Sequence, residues 1–195
     1  MNTPSMFLIL GLMGACAAQA ADWRVDPARS RLGFAYQAMG AEIQGEFSRF
    51  GADVRFDPAH PESASVKLVV ETGSIDAGIP EASQEARSAN FLDVTRHPLA
   101  QFVSTSIKPL GQHRYQVQGE LTLRNQRRPL SLVVLLKPEG AQQRLTGTLL
   151  IKRLDYNIGT GIWGDTSSLS NEVRAAFSLL LKPHPDKPAT GAKRK

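Results

Sequence analysis

A chain of 195 residues with one cysteine, four histidines and a formal net charge of +5 has room for one domain with a substantial core, but little material for thiol or histidine chemistry. The cysteine, Cys16, falls in a segment that reads as a targeting peptide, so the remainder holds no disulfide, thiol nucleophile or thiolate metal site. The charge is concentrated at one end: Lys182, Lys187, Lys193, Arg194 and Lys195 against Asp186 leave the body nearly neutral, without the basic stripe and interleaved aromatics of a nucleic-acid binder.

The first twenty residues read as an address. Met6 to Gly14, "MFLILGLMG", is an uncharged apolar run of signal-core length, and Ala18-Gln19-Ala20 has the small-x-small form of a cleavage site. The run falls short of the ~20 apolar residues of a membrane-spanning helix. Its leading "MNTPS" carries no Lys or Arg, and Cys16 after "LMGA" is the alternative, a lipidation site instead of cleavage after Ala20. The expectation is a signal peptide over 1–20, export to the periplasm and a folded body over 21–182. The Pro-rich, basic 183–195 is expected to be disordered, a solvated end, with contact to anionic head groups as the lesser alternative.

Strand patterns then follow one another. Arg31 to Ala38 alternates with Leu32, Phe34 and Tyr36 on one face, and Glu42 to Phe50 with Ile43, Gly45 and Phe47. Val54 and Phe56 share a face before Pro58 and Pro61 end the run. Ala64 to Glu71 brings Val66, Leu68 and Val70. Gln101 to Ile107 brings Val103, Thr105 and Ile107 on one face and Phe102 on the other. Val117 to Leu136 reads as a hairpin, with Leu121 and Leu123 answered by Leu130, Leu132, Val134 and Leu136. Leu145 to Arg153 and Glu172 to Leu181 close the series. Ile79 to Asp93 breaks the period: Pro80 in a first turn followed by Glu81, Ala82, Gln84, Glu85 and Ala86 predicts a short helix.

Eight or nine short antiparallel strands in one domain make a sandwich or a barrel. An eight-stranded barrel removes exposed edges and leaves an interior wide enough for side chains or one slender ligand. Gly45, Gly119 and Gly147 fall on inward rows, either leaving space or marking bends. The histidines are isolated, with no second ligand at metal-binding spacing, and no Gly-x-Ser-x-Gly, phosphate loop or His-Glu-x-x-His is present. Asp155 two residues from Arg153 predicts an ion pair at a barrel end. An enzyme reading would need Asp155 inside the barrel with Tyr156 or His97.

Five segments in order resemble the YceI-like family of bacterial proteins: "WRVDPARSRLGF", "GEFSRFGADVRFDPAHPESASV", "SANFLDVTRHPLAQFVSTSI", "YQVQGELTLRNQRRPLSL" and "RLDYNIGTGIWGDTSSLSNEV", spanning Trp23 to about Leu181. Asn125 stands where that family usually has Gly, so a left-handed Asn is expected to close the turn. The resemblance implies an all-β, lipocalin-like antiparallel barrel of about eight strands, with one or two short helices and an apolar tunnel. It implies a polyprenyl lipid or quinone tail as ligand, with no cofactor and no catalysis. The inward rows nominate Phe34, Ile43, Phe47, Phe56, Val69, Phe91, Phe102, Leu121, Leu123, Leu132, Val134, Leu149, Phe177 and Leu179 as lining, with Arg153 and Trp163 as head-group contacts. The leading reading is a non-catalytic carrier of a hydrophobic small molecule. The alternatives are a lipid-acting enzyme, and a module docking on the membrane surface or a membrane redox protein through "WGDTSSLS" or the basic tail, with homodimerisation left open.

Overall fold

The computed structural model describes residues 21–57 and 60–184; the expected signal segment and the tail from 185 onward lie outside the described residues. The strands, in chain order, are β1 (Ala21–Val25), β2 (Arg31–Ala38), β3 (Ala41–Phe47), β4 (Phe50–Phe56), β5 (Ser65–Glu71), β6 (Ile75–Asp76), β7 (Leu99–Gly111), β8 (Arg114–Leu123), β9 (Gln126–Glu139), β10 (Gln142–Lys152) and β11 (Leu169–Pro183), with a helix α1 (Pro80–Arg87) after β6. They join in the order β1-β4-β5-β7-β8-β9-β10-β11, and β1 pairs back to β11 to close an eight-stranded antiparallel barrel. Strands β2, β3 and β6 extend the sheet from β11.

β11 serves two partners along its length. Its late residues pair with β1, from Val25↔Leu181 to Trp23↔Pro183, and its earlier ones with β2, up to Ser178↔Arg31. Between those partners the chain turns over Asp26–Ser30. The Ser30 hydroxyl accepts from the Leu180 N–H at 2.8 Å and donates to the Asp26 carbonyl at 2.6 Å, so the ladder groups left at the corner are satisfied. Leu180 and Leu181, on opposite faces of β11, are both fully buried there. The strand runs on through Pro183, and the His184 N–H donates to the Asp22 carbonyl at 2.8 Å. Order therefore extends two residues into the segment expected to be tail.

Three local features depart from simple alternation. The strand expected over 42–50 breaks at Ser48–Arg49, where the Ser74 hydroxyl accepts from the Arg49 N–H at 3.1 Å, and Phe50 opens β4. The helix is shorter than its periodicity allows, because the chain folds back after Arg87: the Leu92 N–H donates to the Ala86 carbonyl and the Asp93 N–H to the Ser88 carbonyl. In β7 a bulge shifts the register between Ser104 and Ser106. The extra residue lets Phe102 and Ile107 face the same side, both buried, while Val103 and Thr105 stay exposed. The row expected of Val103, Thr105 and Ile107 is corrected accordingly. At the β8–β9 turn both Arg124 (φ 48°) and Asn125 (φ 61°) are left-handed, the backbone of a two-residue turn whose twist matches its strands.

Candidate ligand-binding site

Cross-strand partners share a face, so the register fixes the inner rows. Leu179, Phe177 and Ala175 of β11 lie beside Leu145, Gly147 and Leu149 of β10. Val134 and Leu136 of β9 lie beside Gly147 and Leu145, and Leu130 and Leu132 beside Gly119 and Val117 of β8. In a filled barrel all of these would be buried. Instead Leu121, Leu130, Leu132, Leu149, Ile151 and Phe177 keep partial exposure while facing inward. They face a cavity of about 150 Å³ whose lining comes from β4, β5, β7, β8, β9, β10 and β11 and is aliphatic and aromatic apart from Arg55. Tyr115 presents its ring to Phe56, edge-on at 5.3 Å.

The inward glycines do not stand open: each is roofed by an aromatic ring, and Gly119 also faces Ser104 at the β7 bulge. A methyl group on Gly147 would lie 2.6 Å from Phe177 Cζ, on Gly119 2.5 Å from Phe102 Cζ, and on Gly45 2.4 Å from Phe34 Cζ. Missing side chains thus let three rings lie against the wall rather than across the lumen. Phe102 and Phe177 belong to the cavity lining. The Gly–Phe pairs set its width.

The expected lining residues divide into three groups. Phe56, Phe102, Leu121, Leu132, Val134, Leu149, Phe177 and Leu179 all line the cavity. Phe34, Ile43 and Phe47 share the inner face over β2 and β3 but lie outside the cavity lining, Ile43 as the strand partner of Tyr36 and Phe34 at 5.5 Å from Phe47 and 6.2 Å from Tyr36. Leu123 and Phe47 pack on the buried trio Leu32, Val70 and Ala100. Val69 is corrected: β5 turns Val66 and Leu68 inward, and Val69 lies on the outer face beside Gly51 and Gln101, near Pro27 and Leu99. Phe91 is also elsewhere, stacked edge-to-face on Trp163 at 5.6 Å. Val54, Val66, Leu68, Val117, Leu130, Leu136, Leu145 and Ile151 add to the lining, each on a period-two row already visible in the sequence, and Ala52, Ala64, Ile107 and Tyr115 join them.

Arg153 and Trp163 build a cover, not a head-group site. Arg153 is 3% exposed. Its Nε donates to the Ser170 carbonyl at 2.9 Å, Nη1 to Ile158 (2.9 Å) and Gly159 (2.5 Å), and Nη2 to Trp163 (2.6 Å) and Leu169 (2.8 Å). All five guanidinium donors are consumed, so none remains for a ligand. The expected Arg153–Asp155 ion pair gives way to these carbonyls, and burial pushes the guanidinium pKa down. Asp155 itself is exposed, and its carbonyl accepts from Arg128 at 3.3 Å. Arg124 ties the hairpin turn to the same cover through the carbonyls of Ala89 (2.5 Å), Asn90 (3.3 Å) and Asn157.

A lipocalin-like barrel closed at one end by an arginine-knotted cover, with an apolar cavity within, defines a class of scaffold. The chain belongs to the YceI family: the YceI-like domain matches residues 23–181. It is 34% identical over 177 residues to a UPF0312 protein of Azotobacter vinelandii, covering 86% of this chain and 90% of that one. A UPF0312 protein of Vibrio cholerae is likewise 34% identical over 166 residues, covering 80% and 87%. Among solved structures, Burkholderia cenocepacia BcnA superposes with a TM-score of 0.77 at 34% identity, covering 80% of this chain and 98% of that one. A polyisoprenoid binding domain from Saccharophagus degradans shares the fold with a TM-score of 0.65 at 17% identity, covering 85% and 100%.

Proposed function

We propose that this protein is an exported, non-catalytic carrier that holds an isoprenoid chain, the tail of a polyprenyl lipid or quinone, in the barrel cavity. The observation that carries the reading is the cavity wall: seven strands supply nearly all of it, and the side chains facing it are aliphatic or aromatic, while the exposed Arg55 alternates with the inward Val54 and Phe56. Such a wall recognises shape and length, and each methylene moved into it from water is worth about 0.8 kcal/mol. The fold-mate from Saccharophagus degradans is described as a polyisoprenoid binding domain, which supports the same ligand class here. Export rests on the apolar run of Met6 to Gly14 and on Ala18-Gln19-Ala20.

Size sharpens the proposal. Apolar cavities of about 150 Å³ stay dry and accept a benzene-sized guest, so the resting cavity takes about one isoprene unit, and a longer chain has to displace side chains or part of the wall. The reading is tested by titrating the delipidated protein with isoprenoid alcohols of increasing length. Affinity that rises with each added unit and then levels off supports it. Affinity indifferent to length, or no binding at all, sinks it.

A further inference from the structure

The barrel wall is not uniformly zipped. The β9–β10 ladder holds from Gln142↔Glu139 to Gly147↔Val134 and goes no further, although β9 continues back to Gln126 along β8 and β10 continues to Lys152 along β11. Thr148–Lys152 and the facing part of β9 thus each have a partner on one side only. The gap is about 17 Å long, taking five residues of β10 at about 3.4 Å each. Pro129 sits along it, opposite Glu120 of β8. A proline is accommodated in a ladder where its nitrogen faces an unpaired edge, and the continued register puts Pro129 opposite Lys152, where it withholds a donor from β10 at the far end of the gap. At the far end the Arg128 to Asp155 hydrogen bond bounds the opening.

Apolar side chains flank the gap on both faces. Leu130, Leu132, Leu149 and Ile151 belong to the cavity lining, while Val133 and Leu150, on the outward face of the same strands, are 49% and 57% exposed. Bare strand edges flanked by apolar side chains are a liability that proteins ordinarily blunt. At one end of the barrel lie the Arg153 knot and the Phe91–Trp163 pair, and toward the other the buried Val25, Leu136, Leu145 and Leu181 pack together, Leu136 and Leu145 lining the cavity as well.

We propose that the β9–β10 gap is a lateral portal, through which an apolar chain enters and leaves the cavity sideways between two strands. The inference rests on the isoprenoid reading above and adds its route. A chain passing here moves from Val133 and Leu150 onto Leu130 and Ile151, crossing only the unpaired backbone edges and the exposed Ser131 and Thr148. Spreading this seam breaks no ladder hydrogen bonds between β9 and β10, so it also supplies the room that the resting cavity lacks.

The test bridges the seam reversibly. Continuing the β9–β10 register places Ser131 opposite Leu150, both exposed. In a Cys16→Ser background, Ser131→Cys with Leu150→Cys is linked by a bis-maleimide carrying a reducible spacer, and uptake and release of a fluorescent C15 isoprenoid alcohol are followed by stopped flow. Bridging is expected to slow both rates at least about tenfold, as gated access does, to trap probe loaded beforehand, and to be reversed by reductant. A bridge between Gln118→Cys and Ser131→Cys, across the fully paired β8–β9 ladder, is expected to leave the rates unchanged. Equal rates with and without the seam bridge overturn the portal while leaving the cavity reading intact. Equal slowing by the control bridge overturns it too, since stiffening of any seam would then explain the effect. Parent protein that takes up no probe removes the ligand reading and the portal together.

Discussion

Gly147→Ala is a small change whose consequence can be worked from the cavity wall. The new methyl would sit 2.6 Å from Phe177 Cζ and 3.0 Å from Cε1, closer than carbon atoms pack, and the yielding partner is the free end of a side chain. The ring therefore swings off β10 into the cavity it now borders. A cavity of about 150 Å³ admits one benzene-sized group, so a displaced phenyl ring occupies most of it. The ligand loses the burial of about one isoprene unit, five carbons at about 0.8 kcal/mol each, or at most about 4 kcal/mol and nearly 10³ in affinity. Stability changes less. Overpacking costs about 1–3 kcal/mol, partly offset by the 0.5–1 kcal/mol or so that alanine gains over glycine in a strand. The assay is fluorescence titration with a C15 alcohol beside urea denaturation. Adding Phe177→Leu removes the clash and is expected to restore most of the affinity, a non-additivity that a double-mutant cycle reads directly. Gly147→Ala protein that folds and binds as tightly as the parent would refute the idea that ring seats set the cavity width.

Other substitutions probe the cover and the strand faces. Arg153→Met leaves two buried and three part-buried carbonyls without this donor and is expected to lower the urea-unfolding free energy by about 3–5 kcal/mol; Arg153→Lys should rescue little, since three donors on a point charge cannot serve the same fork. A loss below about 1 kcal/mol would contradict the knot. Leu132→Ser should weaken isoprenoid binding while Val69→Ser, on the outer face of β5, should not; the reverse order in a titration would overturn the assigned faces. Asp93 is held below its ordinary pKa first by the Arg96 side-chain hydrogen bond, at 2.6 Å. A depressed carboxylate contributes stability above its unfolded value, about 3.9, and loses it as pH falls through the folded one. Asp93→Asn should therefore flatten the stability profile below about pH 4, and an unchanged acid limb in pH-dependent denaturation would count against that pairing.

The rows on β9 and β11 were legible because alternate positions stay apolar over a long stretch, Leu130 to Leu136 and Val173 to Leu181. Where local structure adds or withholds a residue, the pattern misleads. The bulge at Ser104–Ser106 joins Phe102 and Ile107 on one face, which no strict period-two count allows. Val69 sits in a run of three apolar residues, so burial alone could not orient it, and the register with Gly51 and Gln101 did. The glycines on inward rows were visible as gaps in side-chain volume. That aromatic rings seat themselves over them depends on cross-strand neighbours distant in sequence. Arg153 looked like a surface charge beside Asp155; its real partners are carbonyls of a loop running to Ser170, contacts to backbone that residue types cannot announce. The unzipped seam left one mark, Pro129, inside an otherwise regular strand.

Native mass spectrometry of the protein purified from its own cells, with organic extraction of whatever it releases, tests the central claim most directly. The account predicts a bound mass that extraction identifies as a polyprenyl or quinone lipid, released when the barrel is unfolded. Protein that arrives empty and refuses added isoprenoids of every length would contradict it.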